Sequence, residues 1–464
     1  MNKKTPNVRE KRNTPQHGAR YVAAHGVRDV LCNDTPLDLA ISNQALFAQL
    51  ERRDRAFARL IAATVFRRLG QIDKVLEPFL KKTPPDLAMA VLRCGAAQIL
   101  FLQTPPYAAV NGSVALLRRS KKTAHMAGMA NAVLRRVGEQ GAELLAQTQT
   151  LDNIPDWLRT SWQGAYGDAA LSAMADMLVQ DPPLDITTKP GVPGQNVMVL
   201  PDGLVLPGGT VRMDKAGDVQ ALAGYDDGNW WVQDISAALP VRILSDLVGD
   251  LKGKSVLDMC AAPGGKTLQL AAAGADVTAL DKNPERLERL QENLDRTGLT
   301  ANIVVGDGIK WRQPDEADPD RVNQGFVNKG FDCVILDAPC TATGTFRRRP
   351  DVLQTKTAQN VDSLARLQEK LLTAAARHVR PGGTLIYCTC SLQPREGEAQ
   401  IEKFLQKRTD FRHNSLLETN SVKPIRAISA ITETSKNGAL RILPHFIHEK
   451  GGMDGFFIAA FTRC

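Results

Sequence analysis

The apolar positions of this chain fall into two rhythms. Between about Leu37 and Gly141 they recur at helical spacing, most completely at Met126, Met129, Ala130, Val133, Leu134 and Val137, which puts a continuous stripe on one face. Phe57, Leu60, Ile61, Val65 and Leu69 make a second stripe, with Gly70 predicted as its C-cap. Val110, Val114 and Leu117 make a third, opening after Pro105-Pro106. From Trp230 onward, short apolar runs alternate with helical patterns. Ser255 to Met259, Val277 to Leu280, Ile303 to Val305, Phe331 to Leu336 and Thr384 to Cys388 read as strands. Pro284 to Arg296 reads as an amphipathic helix, with Asn283 as N-cap, Pro284 in the first position and Gly298 as the stop. Strands alternating with helices predict a mostly parallel, doubly wound sheet.

This patterning divides the 464 residues into four parts. Residues 1–30 carry Lys3, Lys4, Arg9, Lys11, Arg12, Arg20 and Arg28 and few large apolar side chains, and are expected as a basic flexible tail. Residues 31–145 form an all-helical domain. Residues 150–229, with a helix around Trp157 to Leu178 and then short β-like pieces among Gly and Pro, form a small α/β connector, and residues 230–464 form the α/β domain. The polar stretch Gln313 to Gly330 is expected as a surface insertion.

A net charge of +8 favours an anionic partner. Basic clusters recur in the helical part at Arg52, Arg53, Arg55, Arg67, Arg68, Lys81, Lys82, Arg118, Arg119, Lys121, Lys122, Arg135 and Arg136. Any single pair is most simply a solvated helix exterior, but their recurrence points to RNA. With aromatics at only 5%, backbone or shape reading suits them better than base stacking. The eight cysteines lack framework spacing, and no apolar leader follows Met1, so free thiols in a cytoplasmic protein are expected. The most apolar window, Ala88 to Leu102, is broken by Arg93 and Gln98, so no membrane span is expected. No C-x-x-C pair suggests a metal site.

Candidate chemistry gathers at the carboxyl ends of the predicted strands, where such sheets bind ligands. Cys260-Ala261-Ala262-Pro263-Gly264-Gly265-Lys266-Thr267 follows the first strand; its glycines allow close backbone approach. Asp281 ends the second strand, placed to take ribose hydroxyls; Asp307 ends the third and Asp337 the fourth. One such acid would read as a helix cap. Four consecutive strand ends with the expected chemistry, the glycine loop and then these three acids, point to a nucleoside cofactor whose polyphosphate is immaterial, namely S-adenosylmethionine. A P-loop NTPase is the rival, because Gly265-Lys266-Thr267 mimics the end of that motif. Its first glycine would fall at Cys260, so the cradle lacks its opening turn. A dinucleotide fold is disfavoured by the absence of G-x-G-x-x-G.

Two thiols complete the set: Cys340, three residues after Asp337, and Cys390 beyond the fifth strand. Cytosine carbon 5 becomes nucleophilic only after a thiolate adds at carbon 6, a scheme that needs a cysteine, an acid and a means of release. Asp337 and Cys340 are expected as an acid–thiol pair, with Lys266 as the local cation and Arg347, Arg348 and Arg349 facing an RNA backbone. Cys260, Cys333 and Cys388 read as small core residues. Amino-group methylation has no need of thiols. The residues alone do not rank Cys340 against Cys390.

Asp258, the run Cys260 to Thr267, Asp337-Ala338-Pro339-Cys340, Thr389-Cys390-Ser391 and Gly452-Met453-Asp454-Gly455-Phe456-Phe457 closely resemble the NOL1/NOP2/Sun family of RNA cytosine-5 methyltransferases, in its bacterial small-subunit ribosomal RNA branch. Asn131-Ala132-Val133-Leu134-Arg135-Arg136 resembles the NusB-like RNA-binding domain attached to that branch. The resemblance implies a Rossmann-like class I methyltransferase domain preceded by a NusB-like domain, acting as a monomer on small-subunit ribosomal RNA. It implies that Cys260 to Lys266, Asp281, Asp307 and Asp337 line the S-adenosylmethionine pocket, that Cys390 is the nucleophile, and that Cys340 assists breakdown of the adduct. Thr341 departs from the family's usual serine. Transfer RNA as substrate, or a non-catalytic RNA-binding assembly factor, are the alternatives; the helical domain speaks against the first, the intact thiols and acids against the second.

Overall fold

The computed structural model describes residues 15–190, 202–214, 217–313, 330–426 and 437–464, in two compact units. The first comprises residues through Arg159 with Leu178–Gln180 and Arg349–Thr355; the second holds the rest. The expected insertion falls outside the described residues except for its ends, as does the tail through residue 14.

The first unit is all-helical: α1 (Pro15–Asn33), α2 (Leu37–Ser42), α3 (Arg52–Arg67), α4 (Leu69–Leu76), α5 (Asp86–Leu100), α6 (Pro106–Arg118) and α7 (Ala127–Ala146). Helix α1 corrects the tail reading for residues 15–30. Ala19, Val22, Ala23, Ala24, Val27 and Val30 are fully buried in the helical core. The stripe is hidden because its side chains are small, and small is what the packing requires: a Cβ on Gly26 would lie 2.9 Å from Ile41, and one on Gly112 would lie 2.6 Å from Arg20. Arg20 is itself buried, donating from Nε to Gln98 at 2.8 Å. Gly70 is likewise no C-cap. Helix α3 ends at Arg67 and Gly70 lies inside α4, where a Cβ would sit 1.9 Å from the carbonyl oxygen of Asp152. Ile61 and Val65 are fully buried as expected, but Leu60 points outward. The α7 stripe buries Ala130, Val133, Leu134 and Val137 and leaves Arg135 and Arg136 exposed. Arg67 is buried, with Nε on the carbonyl of Gln180.

The second unit holds residues 160–177 of α8 (Asp156–Leu178), which is bent at Gly167, and a small antiparallel sheet. Its strands are β1 (Leu184–Thr188), β2 (Leu204–Val205), β3 (Val211–Met213) and β4 (Trp230–Val232), in the order β2-β3-β1-β4. The larger α/β layer follows as α9 (Ile235–Val248), β5 (Ser255–Met259), α10 (Gly265–Ala272), β6 (Asp276–Asp281), α11 (Pro284–Thr297), β7 (Asn302–Val305), β8 (Phe331–Asp337), α12 (Ala358–Arg377), β9 (Val379–Thr389), α13 (Glu398–Lys407), β10 (Phe411–Asn414), α14 (Lys423–Arg426), β11 (Leu440–Ile442) and β12 (Phe456–Arg463). Strand order is β10-β12-β9-β8-β5-β6-β7, with β11 also on β12. β9, β8, β5, β6 and β7 run parallel, and β12 enters antiparallel between β9 and β10.

The central strands are near-continuous apolar runs because helices cover both faces; Val256, Leu257, Val334, Ile335, Leu336, Leu385 and Ile386 are all buried. Helix α11 starts and stops as its sequence predicts: Asn283 accepts from the N–H of Arg286 at 3.1 Å, and Gly298 closes the helix at φ 60°. Among the described residues, no helix is long and apolar enough to cross a membrane.

Candidate active site

The turn after β5 departs from ordinary backbone geometry at two places. Cys260 takes a left-handed φ of 60°, which costs a non-glycine residue about 1–2 kcal/mol and marks a turn held by its surroundings. Gly264 takes φ 108° as N-cap of α10, and a Cβ there would lie 2.2 Å from Leu290. Asp281, buried at the end of β6, holds this turn: Oδ2 accepts from the N–H of Ala262 at 3.2 Å and Oδ1 from the N–H of Asn283 at 3.0 Å. Each oxygen keeps a lone pair for a further donor. Arg286 donates to the Ala262 carbonyl. Ala261, Ala262 and Gly264 are buried, so their part is played by the main chain.

Cys260, Asp281 and Asp307 share one cavity with Leu280, Ile309, Pro339, Leu367 and Leu371. Asp307 is exposed and uses Oδ1 to accept the N–H of Ile309 at 2.8 Å. Apolar walls with a buried acid that can accept further hydrogen bonds suit an adenosine, and Gly306 and Gly308 keep the wall thin: a Cβ on either would press within 3.0–3.1 Å of Leu280 or Leu371. The donor set fits S-adenosylmethionine. A larger cavity of about 800 Å³, lined by Asp202, Arg212, Met213 and Lys450 among others, includes none of the motif residues.

Lys266, buried in the first turn of α10, meets Asp337 at 2.7 Å and lies over the Phe456 ring at 5.3 Å. Burial alone would lower its pKa; Asp337, with Cys388 and Asp258, outweighs burial and holds it above the ordinary lysine value. Asp337 therefore serves Lys266 rather than Cys340, and its other oxygen lies 3.7 Å from Cys388 Sγ. The expected acid–thiol pair gives way to an ion pair because a buried ammonium needs a counter-charge more than a neutral thiol does. Beneath the turn, Asp258 is fully buried and accepts from Thr267 at 2.6 Å; burial pushes its pKa up to about 7. Burial, with the neighbouring acids, pushes the Cys260 thiol up to about 12.

Beyond β8 and β9 the two thiols converge, with Cys340 Sγ 3.5 Å from Cys390 Sγ. Main-chain bonds join their loops: Ala338 N–H donates to Cys388 O at 2.9 Å, Gly344 N–H to Cys390 O at 2.9 Å and Gly455 N–H to Gly344 O at 2.8 Å. A Cβ on Gly344 would lie 2.1 Å from the Gly455 carbonyl, so only glycine admits this approach. The hydrogen bond with Cys390, then burial, holds Cys340 well above the usual thiol pKa. Cys388 is buried as expected.

Arg347 and Arg348 do not face outward. Arg347 is 1% exposed, 3.2 Å from Asp454, and Arg348 lies 2.8 Å from Asp234 and 3.4 Å from Asp454. Two arginines in a row look like a surface charge run; three buried acids scattered over the sequence, Asp185, Asp234 and Asp454, bring them inside. Arg349 is exposed. Sequence reading also passes over Glu396, a fully buried acid six residues after Cys390. Its neighbours Pro394 and Gly397 signal a turn but not burial.

The fold and its strand-end acids define a class I S-adenosylmethionine-dependent methyltransferase. A family model described as 16S rRNA methyltransferase RsmB/F matches residues 249–462, and the NusB family model matches residues 17–139. The probable ribosomal RNA small subunit methyltransferase B of Synechocystis sp. is 32% identical, the match covering 95% of this chain and 98% of that protein. Ribosomal RNA small subunit methyltransferase B of Xanthomonas campestris pv. campestris is 36% identical over 77% of this chain and 81% of that one. The crystal structure of PH0851 superposes with a TM-score of 0.69 at 22% identity, covering 97% of this chain and all of that one. NSun6 from Pyrococcus horikoshii, solved with SFG, gives a TM-score of 0.50 at 20% identity over 67% of this chain and 98% of that one. The chain belongs to the RsmB/F methyltransferase family.

Proposed function

We propose that this chain methylates carbon 5 of a cytosine in 16S ribosomal RNA through a transient bond between Cys390 and the ring. The observation that carries the reading is the 3.5 Å approach of Cys340 to Cys390, with Pro339, beside Cys340, lining the cavity that suits the cofactor. Transfer to nitrogen or oxygen has no use for paired thiols, whereas carbon 5 needs a nucleophile at carbon 6.

When bound, S-adenosylmethionine supplies an electrophilic methyl group, held by Cys260, Asp281, Asp307 and the main chain of residues 261 to 265. Cys390 would give up its proton to solvent and bond carbon 6; once carbon 5 carries the methyl group and has lost its own proton to solvent, Cys390 would leave as the thiolate, and Cys340 would assist that cleavage. Asp337, a third exposed and oriented by Lys266, would bond the polar edge of the ring. The target base must be exposed or flipped to reach the thiols. The helical unit, matched by the NusB family, would contact RNA backbone through exposed residues such as Arg135 and Arg136. Relatives named as small-subunit ribosomal RNA enzymes favour that substrate over transfer RNA.

The test is methylation of purified 16S rRNA and of tRNA by the full chain, followed by bisulfite sequencing. A single newly protected cytosine in 16S rRNA supports the reading. Label confined to tRNA, or to a base nitrogen, overturns it.

A further inference from the structure

Glu396 sits on the turn after Cys390 with no exposure at all. Its Oε1 accepts from the Thr341 N–H at 3.0 Å and from Gln368 Nε2 at 2.9 Å. Its Oε2 accepts from the Thr341 and Ser391 hydroxyls, each at 2.5 Å. Thr341 follows Cys340 and Ser391 follows Cys390, so one carboxylate grips the residue beside each thiol. Gln368, on α12, also donates to the carbonyl of Pro339 at 3.0 Å, which ties the grip to the cofactor cavity. The Glu396 carbonyl is held in turn by Tyr387 at 2.8 Å. Thr341 keeps the hydroxyl that the family's serine would bring.

A carboxylate offers about four lone-pair positions, and here all four are taken. None is left to receive a proton from a substrate. No Lys or Arg pairs with Glu396 among the described residues, so its charge is met by hydrogen-bond donors alone. A negative charge beside two thiols also opposes thiolate formation, and Glu396 is among the causes that raise Cys340. An acid that hinders activation and cannot act as a base is explained by what it holds in place.

We propose that Glu396 is the positioning residue of the site: it sets the separation of Cys340 and Cys390 by clamping Thr341 and Ser391 together, and so governs how the covalent adduct partitions between accumulation and release. The proposal rests on the reading of those two thiols as the reacting pair, but the spacing can be read without RNA.

Dibromobimane becomes fluorescent when it bridges two neighbouring thiols, and the full chain would be compared with Glu396→Ala and Glu396→Gln, taking Cys390→Ala as the blank. Methylated product and covalent RNA–protein complex would be measured on the same proteins. Glu396→Ala is expected to slow bridging roughly tenfold, the scale of a lost hydrogen bond, and to lower kcat and raise the covalent fraction with little change in KM. Glu396→Gln should restore both, because its amide oxygen can accept from Thr341 N–H and Gln368 while its NH₂ donates to the two hydroxyls. Equal bridging in Glu396→Ala and the unaltered protein overturns the proposal, as does a Glu396→Gln variant as inactive as Glu396→Ala, which would mark the carboxylate as a base. Should Glu396→Ala fail to fold, Thr341→Val and Ser391→Ala each remove one grip, and unaltered bridging in both overturns it equally. An adduct that survives Cys390→Ala would instead sink the assigned thiol chemistry, leaving the spacing result standing.

Discussion

The sulfur atoms of Cys340 and Cys390 lie 3.5 Å apart although 50 residues separate them in the chain. Adjacent parallel strands β8 and β9 deliver them, with Asp337 in register with Cys388. The pair makes separable predictions. Cys390→Ala should lose both methylation and any RNA-linked band on a denaturing gel, whereas Cys340→Ala should lose turnover while that band accumulates. A band in Cys390→Ala would reverse the roles.

The Lys266–Asp337 ion pair is expected to show strong coupling. Asp337→Asn leaves a buried ammonium without its counter-charge, and Lys266→Met leaves the acid unoriented. The double variant should therefore be less impaired than the two single losses added together, with an interaction of about 1–3 kcal/mol in kcat/KM. Additive losses would show that the two residues act independently.

Asp258 sets a pH dependence of stability. Its pKa rises from the unfolded value near 3.8 to about 7 on burial, so the folded state binds the proton more tightly. The stabilisation is fully present below pH ~4 and is lost as pH rises through about 7. Asp258→Asn, which stays neutral, should melt above the unaltered protein at pH 8 and lose that advantage toward pH 4. Parallel melting curves across this range would show that Asp258 stays charged when buried.

Reversing Arg135 and Arg136 to Glu should weaken RNA binding across sequences and reduce the salt slope by roughly one for each phosphate no longer neutralised. Filter binding at several salt concentrations measures this. An unchanged slope would remove α7 from the RNA surface.

Gly70→Ala should destabilise the helical unit by about 2–3 kcal/mol, because its Cβ would overlap the Asp152 carbonyl. Gly164→Ala in α8, with open space around the position, should instead stabilise by roughly 0.5–1 kcal/mol. Denaturant titration of both checks the sign.

What can be read from the sequence tracks the scale at which each feature is encoded. Strands β5 to β9 and the caps of α11 are written in contiguous residues, and so are the acids at the strand ends. Helix α1 escapes such a reading because Ala and Gly carry a packing stripe that looks like a tail when only large side chains are counted. Gly70 resembles a stop signal, but its reason for being glycine is a carbonyl some eighty residues away. Arg347 and Arg348 look like an RNA-facing run because Asp185, Asp234 and Asp454 are remote in sequence. Glu396 is invisible for the same reason: its donors come from Thr341, Gln368 and Ser391, which only the fold assembles.

Strand β12 is inserted between β9 and β10 and is made well after the residues it flanks. A polypeptide growing from its amino end therefore exposes Cys340 and Cys390 before their neighbouring ladder and the Gly344–Gly455 link exist. The main-chain link from Gly455 N–H to the Gly344 carbonyl, which joins the thiol loop to the start of β12, therefore forms only after residue 455 has been made.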